Sequence, residues 1–375
     1  MATAYRFSFG PWNLSEGADP FGPPVRRPIP LAEKLRCYKR LGFDGVQFHD
    51  DDVVPEIDGK SGGQIRTEAR ALRRAIEGEG LAAEFCAPRL WESPRTIDGA
   101  FTSNRAADRR YAIDRSRRSI DIAREIGCDL IVLWLAREGT YVREAKDARA
   151  AVERLLEAVD ALLAHDPQVR IAIEPKPNEP MDQAYIPTIG HALALAGRTR
   201  DPERVGGLIE TAHALLAGLD PSDEMAFALS FGKLWSVHLN DQNGLKFDQD
   251  KTFGSANLRA AFNQVRVLEE GGYGRRGEMV GFDVKAMRTT TPERQTAHLA
   301  NSRAVFLRLV EKVRTLDRRL EKELIDARDY EALELYILEH LMSGAPAGGA
   351  VQDSAKGAAS PRRSRGASRR ARGGR

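Results

Sequence analysis

A chain of 375 residues with 42% hydrophobic and 30% charged side chains has the make-up of a soluble globular protein, long enough for one large domain or two ordinary ones. No apolar run approaches the ~20 residues of a membrane span, and the start MATAYRFSFG lacks the charged-then-apolar layout of a signal peptide, so a cytoplasmic protein is expected. The net charge of +3 is unevenly placed: beyond Gly344, Lys356 and seven arginines face the single acid Asp353, a tail of +7 on a body of −4, which argues against nucleic acid as the body's partner.

Short strand-like runs recur along the chain, each followed by a turn and a segment of helical period. Tyr5–Gly10 is the first, and a Pro/Gly-rich loop through Phe21 leads to a helix over Leu31–Leu41, closed by Gly42. Gly45–Phe48 is the second, followed at once by His49 and three aspartates, then a helix over Gln64–Glu79. Ala82–Cys86 is the third, with Arg89 and Trp91 in its loop, and a helix over Asp108–Ile126 follows. Leu130–Trp134, apolar throughout as a strand buried on both faces should be, precedes a helix over Ala145–Leu163. Val169–Ile173 delivers Glu174 and Lys176, and a helix spans Pro187–Ala196. Val205–Ile209 delivers Glu210 and His213. The run at Leu234–Val237 passes into a polar loop with Asp248 and Asp250, and Leu258–Glu270 is its helix. Glu278–Phe282 delivers Asp283 and Lys285 before a helix over Thr296–Val313.

Eight strand–helix units with charged groups at nearly every strand end predict a (β/α)8 TIM barrel over residues 1–314. An open doubly wound sheet would gather its ligands at one switch point instead. Residues 315–342 keep helical periodicity and read either as an arm against a neighbouring subunit or as a cap on their own barrel. Residues 343–375, rich in Gly, Ala, Ser and Arg, read as a disordered basic tail. Cys37, Cys86 and Cys128 are scattered without a CxxC and read as reduced thiols.

Taken together, the strand ends offer Glu174, Glu210, Asp248, Asp250 and Asp283 with His213 and His238. Glu210 and His213, three apart, share a face on a helical turn. Each alone suits a solvated or capping group. Five acids at one barrel mouth would repel strongly unless cations neutralised them, so divalent metal is the economical inference.

These residues fall in motifs that resemble xylose isomerase of the short, actinobacterial type over roughly residues 5–315. The motifs are FHDDD (Phe48–Asp52), REG (Arg137–Gly139), IEPKPNEP (Ile173–Pro180), PTIGHALA (Pro187–Ala194), LNDQNGLKFDQD (Leu239–Asp250), LRAAF (Leu258–Phe262) and FDVK with the following Arg-Thr (Phe282–Thr289). The resemblance implies a homotetramer embraced by C-terminal arms and two divalent ions per subunit, Mg2+, Mn2+ or Co2+. It also implies an aldose–ketose isomerase that interconverts D-xylose with D-xylulose and D-glucose with D-fructose by ring opening and a metal-assisted 1,2-hydride shift. By position, one ion would be held by Glu174, Glu210, His238 and Asp283, and the other by Glu210, His213, Asp248 and Asp250. His49, backed by Asp52, matches the ring-opening pair, and Lys176 the lysine at the substrate's O1. Trp134 matches the apolar wall, Phe21 the phenylalanine offered by a neighbouring subunit, and Trp12, Arg89, Trp91 and Lys285 complete the sugar-binding set.

The departures matter as much. Position 238 is an aspartate in that family and a histidine here, which removes a negative charge and tilts preference from Mg2+ toward Mn2+, Co2+ or Zn2+. The alternative is that His238 points aside and one ion binds. Leu135 and Ala136 replace paired glycines, and Ala87, Arg89 and Trp91 rebuild the third loop, with Arg89 bringing a fork that fits a carboxylate. A paralogue acting on a modified or acidic sugar as isomerase or epimerase, or a barrel without catalysis, is therefore carried beside the isomerase.

Overall fold

The computed structural model describes residues 4–19 and 22–343. Its eight short apolar runs are parallel strands: β1 (Phe7–Phe9), β2 (Gly45–His49), β3 (Ala82–Ala87), β4 (Leu130–Trp134), β5 (Arg170–Glu174), β6 (Val205–Glu210), β7 (Leu234–Leu239) and β8 (Val280–Phe282). Each pairs with its neighbour in sequence, and β8 returns to β1, so the sheet closes into a barrel with no free edge. The TIM barrel expected from the strand–helix alternation is the fold observed.

Helices α1 (Leu31–Arg40), α2 (Gly62–Gly78), α3 (Ala106–Ile126), α4 (Ala148–His165), α5 (Ile189–Ala196), α6 (Pro221–Ser230), α7 (Leu258–Glu270) and α8 (Ala297–Thr315) follow the strands in turn. Local chemistry starts them. Ser61 and Gln64 form a reciprocal capping box at α2, and the side chains of Asp147, Thr188 and Asn257 accept backbone N–H groups at α4, α5 and α7. Gly127 ends α3 with φ of 92°, a left-handed conformation that glycine adopts without a Cβ penalty.

Helix α6 is the element the periodicity did not separate. Its sequence, PSDEMAFALS, is apolar on most sides after its first turn, so no polar face marks it out. Here Pro221 at the first helical position and the Asp220 cap give the start that periodicity does not.

Register sets the rim. Trp134 lies beside Glu174 across β4 and β5, Glu210 beside His238 across β6 and β7, and His238 beside Gly281 across β7 and β8. Parallel strands in this stagger bring those side chains to one end of the barrel. Between the sheet and α8 the packing is aromatic: Phe7 of β1 stacks on Phe282 of β8 at 6.0 Å and meets Phe306 of α8 edge-on at 5.6 Å.

The described residues through Leu320 belong to one compact unit and those from Glu321 to Ser343 to another. The segment read as an arm or cap is two helices, Arg318–Ala327 and Tyr330–Met342. Phe21 and the tail from Gly344 lie outside the described residues. Among the described residues no helix is long and apolar enough to cross a membrane.

Candidate metal centre

The C-terminal mouth of the barrel opens into a cavity of about 1030 Å3. The residues that close each strand line it: Trp12 after β1, His49 ending β2, Arg89 and Trp91 after β3, and Trp134 ending β4. Glu174 and Lys176 follow from β5, Glu210 and His213 from β6, His238 from β7, Asp248 and Asp250 from its loop, and Asp283 and Lys285 from β8. Every described residue assigned from the sequence to catalysis, sugar binding or metal is on this wall except Asp52, which sits behind His49.

The acids and imidazoles meet. Single ligand atoms of Glu174, Glu210 and His213 lie within 4.8 Å of one another, as do those of Glu210, His238 and Asp283, and those of Glu210, Asp248 and Asp250. His213 Nε2 is 3.1 Å from Asp248 Oδ2 and 3.3 Å from Glu210 Oε1. His238 turns Nδ1 into the cluster, 3.4 Å from Glu174 Oε1 and 3.6 Å from Glu210 Oε2. The alternative in which His238 points aside does not describe this geometry.

Burial and crowding strain the charges. Burial first, and then the Asp248 carboxylate, push Glu210 well above the usual carboxylate range. Burial, with Asp248 and Asp283 beside it, does the same to Asp250. Burial would also raise Glu174, but the His238 and His213 imidazoles bring it down to about 2. With all five carboxylates ionised, the cluster would hold more negative charge than its two imidazoles and two lysines offset, which is what these shifts resist.

Three buried atoms in it, His213 Nδ1, His238 Nδ1 and Asp248 Oδ1, have no hydrogen-bond partner. Buried polar atoms are seldom left so. Two orphaned nitrogens and one orphaned carboxylate oxygen, set among further converging carboxylates, fit divalent cations.

Outside the cluster, Lys176 Nζ donates to Asp248 Oδ2 at 2.9 Å, contacts Glu179 Oε2 at 3.1 Å and lies 5.3 Å over the Trp134 ring. His49 is clasped between Trp12 and Trp91, with ring centroids at 4.4 and 5.0 Å. Its Nδ1 faces both Asp52 Oδ2 at 3.2 Å and Arg89 Nη2 at 2.8 Å. Guanidinium can only donate, so the Arg89 contact leaves the ring proton on Nε2, whereas the Asp52 contact draws it to Nδ1. The Arg89 fork, read as fitting a carboxylate, also holds Asp51 through Nε at 2.8 Å and Glu92 through Nη1 at 3.2 Å. Its carboxylates come from this chain.

Several supporting residues were not singled out from the sequence. Asn240 donates to Glu210 Oε1 at 2.9 Å and to Asp250 Oδ1 at 3.3 Å while accepting from the Ala212 amide. Asn13 Nδ2 donates to Asp283 Oδ1 at 3.1 Å, beside Trp12 Nε1, already in the sugar-binding set, at 3.0 Å. Asp50 is buried and takes both arms of Arg115, which pins the turn that carries His49. Gln47 and Glu84 stand inside β2 and β3, where polar residues interrupt otherwise apolar runs. That interruption was the available signal.

Fold and rim together define a (β/α)8 barrel with an acid–imidazole centre at the C-terminal mouth. The chain belongs to the family described as the xylose isomerase-like TIM barrel, which matches residues 35–297. Solved structures share the fold at low identity. A D-tagatose 3-epimerase-like protein superposes with a TM-score of 0.60 at 14% identity, covering 82% of this chain and 98% of its own. A 3-keto-D-glucoside 4-epimerase from E. coli gives 0.57 at 16%, covering 80% and 100%. The IOLI protein, solved with a bound zinc atom, gives 0.56 at 17%, covering 83% and 100%.

Proposed function

We propose that this chain is a metal-dependent aldose–ketose isomerase of the D-xylose/D-xylulose and D-glucose/D-fructose type, working as a homotetramer. The observation that carries the reading is the placement of His49 and Lys176 on the wall of one cavity together with the acid–imidazole cluster. Divalent cations, held by Glu174, Glu210, His238 and Asp283 and by Glu210, His213, Asp248 and Asp250, would supply Lewis-acid polarisation of the sugar's oxygens. The zinc-bound relative is in keeping with such a centre.

The side chains do the rest. His49, oriented by Asp52, moves a proton between the anomeric hydroxyl and the ring oxygen to open the sugar. Lys176, held by Asp248 and Glu179, donates to O1, where negative charge develops. Trp91 and Trp134, 4.6 Å apart, keep water from the carbon atoms while hydrogen passes from C2 to C1 and the O2 proton is relocated to O1. Lys285, which donates to Asp250 Oδ2 at 2.8 Å, holds the loop that closes the cluster.

The second reading, a paralogue that isomerises or epimerises a modified or acidic sugar, draws support from the rebuilt loop with Arg89 and Trp91 and from the epimerases among the fold's neighbours. A screen of aldoses with Mg2+, Mn2+ and Co2+ in deuterated water separates the two. The isomerase should give ketose with little deuterium on carbon and lose activity on the order of 100-fold or more in Lys176→Met. Ready carbon-bound deuterium, or an epimer in place of ketose, would move the assignment to the second reading.

A further inference from the structure

Beneath the cluster lies a polar layer that the proposed reaction does not use. Ser8 of β1, Gln47 of β2, Glu84 of β3 and Ser236 of β7 point into the barrel interior below His238. Glu84 accepts from the Ser8 hydroxyl, from Ser236 Oγ at 2.9 Å and from Gln47 Nε2 at 3.0 Å. Only the amide nitrogen of Gln47 can donate to that carboxylate, so Oε1 must face the other way. There it meets His238 Nε2 at 3.1 Å.

A carbonyl oxygen can only accept, so Nε2 of His238 carries a proton, and in the neutral ring the lone pair is left on Nδ1. That nitrogen is the buried, unpartnered atom among Glu174, Glu210 and Asp283. Space for the arrangement comes from Gly281 of the adjoining strand, where a Cβ would overlap Gln47 Nε2 and the Val237 carbonyl.

We propose that Gln47, oriented by Glu84, is a positioning residue that fixes the His238 tautomer and makes the Glu174–Glu210–Asp283 pocket a nitrogen-containing one, selective for a borderline divalent cation over Mg2+. The proposal rests on the reading of the cluster as a cation site and adds a cause for its selectivity. The hydrogen bond to Oε1 also makes Nδ1 the better donor. A carboxylate at position 238 would need no such partner, since either oxygen can ligate.

The test uses the full chain, stripped with chelator and titrated by calorimetry with Co2+ alone and with Mg2+ alone. Gln47→Met keeps the volume and removes the acceptor. Glu84→Gln keeps the shape but frees the Gln47 amide to turn its nitrogen toward His238, so it serves if Gln47→Met fails to fold. Co2+ affinity in one binding step should fall about 10- to 100-fold in either variant, with Mg2+ affinity within about threefold and the melting curve retained. The second step, at His213, Asp248 and Asp250, should shift less than the first, since it meets the altered pocket only through shared carboxylates such as Glu210. Parallel losses for both ions, or none, would make the layer merely structural and overturn the proposal. A wild-type chain that binds neither ion would instead remove the cation site on which it rests.

Discussion

His298 shows how a single side chain away from the chemistry sets a pH limit. It is buried, donates through Nε2 to the Asn13 carbonyl at 3.0 Å, and leaves Nδ1 without a partner. Burial, with Arg26 adding to it, lowers its pKa from 6.5 to about 4. The unfolded chain therefore takes a proton near pH 6.5 while the folded chain refuses it until about 4. Stability is full above 6.5 and drains away as pH falls through that window, by about 3 kcal/mol in all. His298→Gln keeps a donor for Asn13 and does not titrate. Chemical denaturation at pH 7 and pH 4 should show the wild type losing about 3 kcal/mol more than the variant. Equal losses would mean that the ring is reached by water.

Among the elements, the loops after β3 and β4 are joined through one carboxylate. Glu138 accepts the backbone N–H groups of Ala100 at 3.1 Å, Phe101 at 2.8 Å and Thr102 at 2.9 Å, all within buried structure. Gly139 next to it has no room for a Cβ against the Gln183 carbonyl, so the chain passes Glu138 along one path. Glu138→Ala leaves three buried donors unpaired and should lower unfolding free energy by about 3–5 kcal/mol, read from urea midpoints at unchanged slope. A loss under about 1 kcal/mol would show that water replaces the carboxylate. The REG stretch was noted in the sequence, but its role as a tie was not, because the partners lie nearly forty residues upstream. The same holds for Gln47, Glu84 and Asn240, whose work depends on strands far apart in sequence. Acids and histidines at strand ends were legible because polar groups stop apolar runs abruptly. Helix α6 was not, because it lacks a polar face, and the engagement of Arg89 by Asp51, Glu92 and His49 needed the folded loops.

At the scale of the whole molecule, the sequence divides its charge between a body of −4 and a tail of +7. The cavity and every residue proposed to act lie within the unit that ends at Leu320. A chain ending at Ser343 should therefore bind Co2+ and convert sugar within about twofold of the full chain, while its pI shifts from basic to acidic. Turnover lost on removing residues 344–375 would give the tail a part in catalysis. One carboxylate imposes a further constraint on the same unit. Glu210 belongs to all three ligand groups found among the described residues. Two ions sharing it, as proposed, would not be indifferent to each other: whatever factor the first applied to the second's affinity, the second would return to the first. No substitution at Glu210 could then empty one pocket and spare the other.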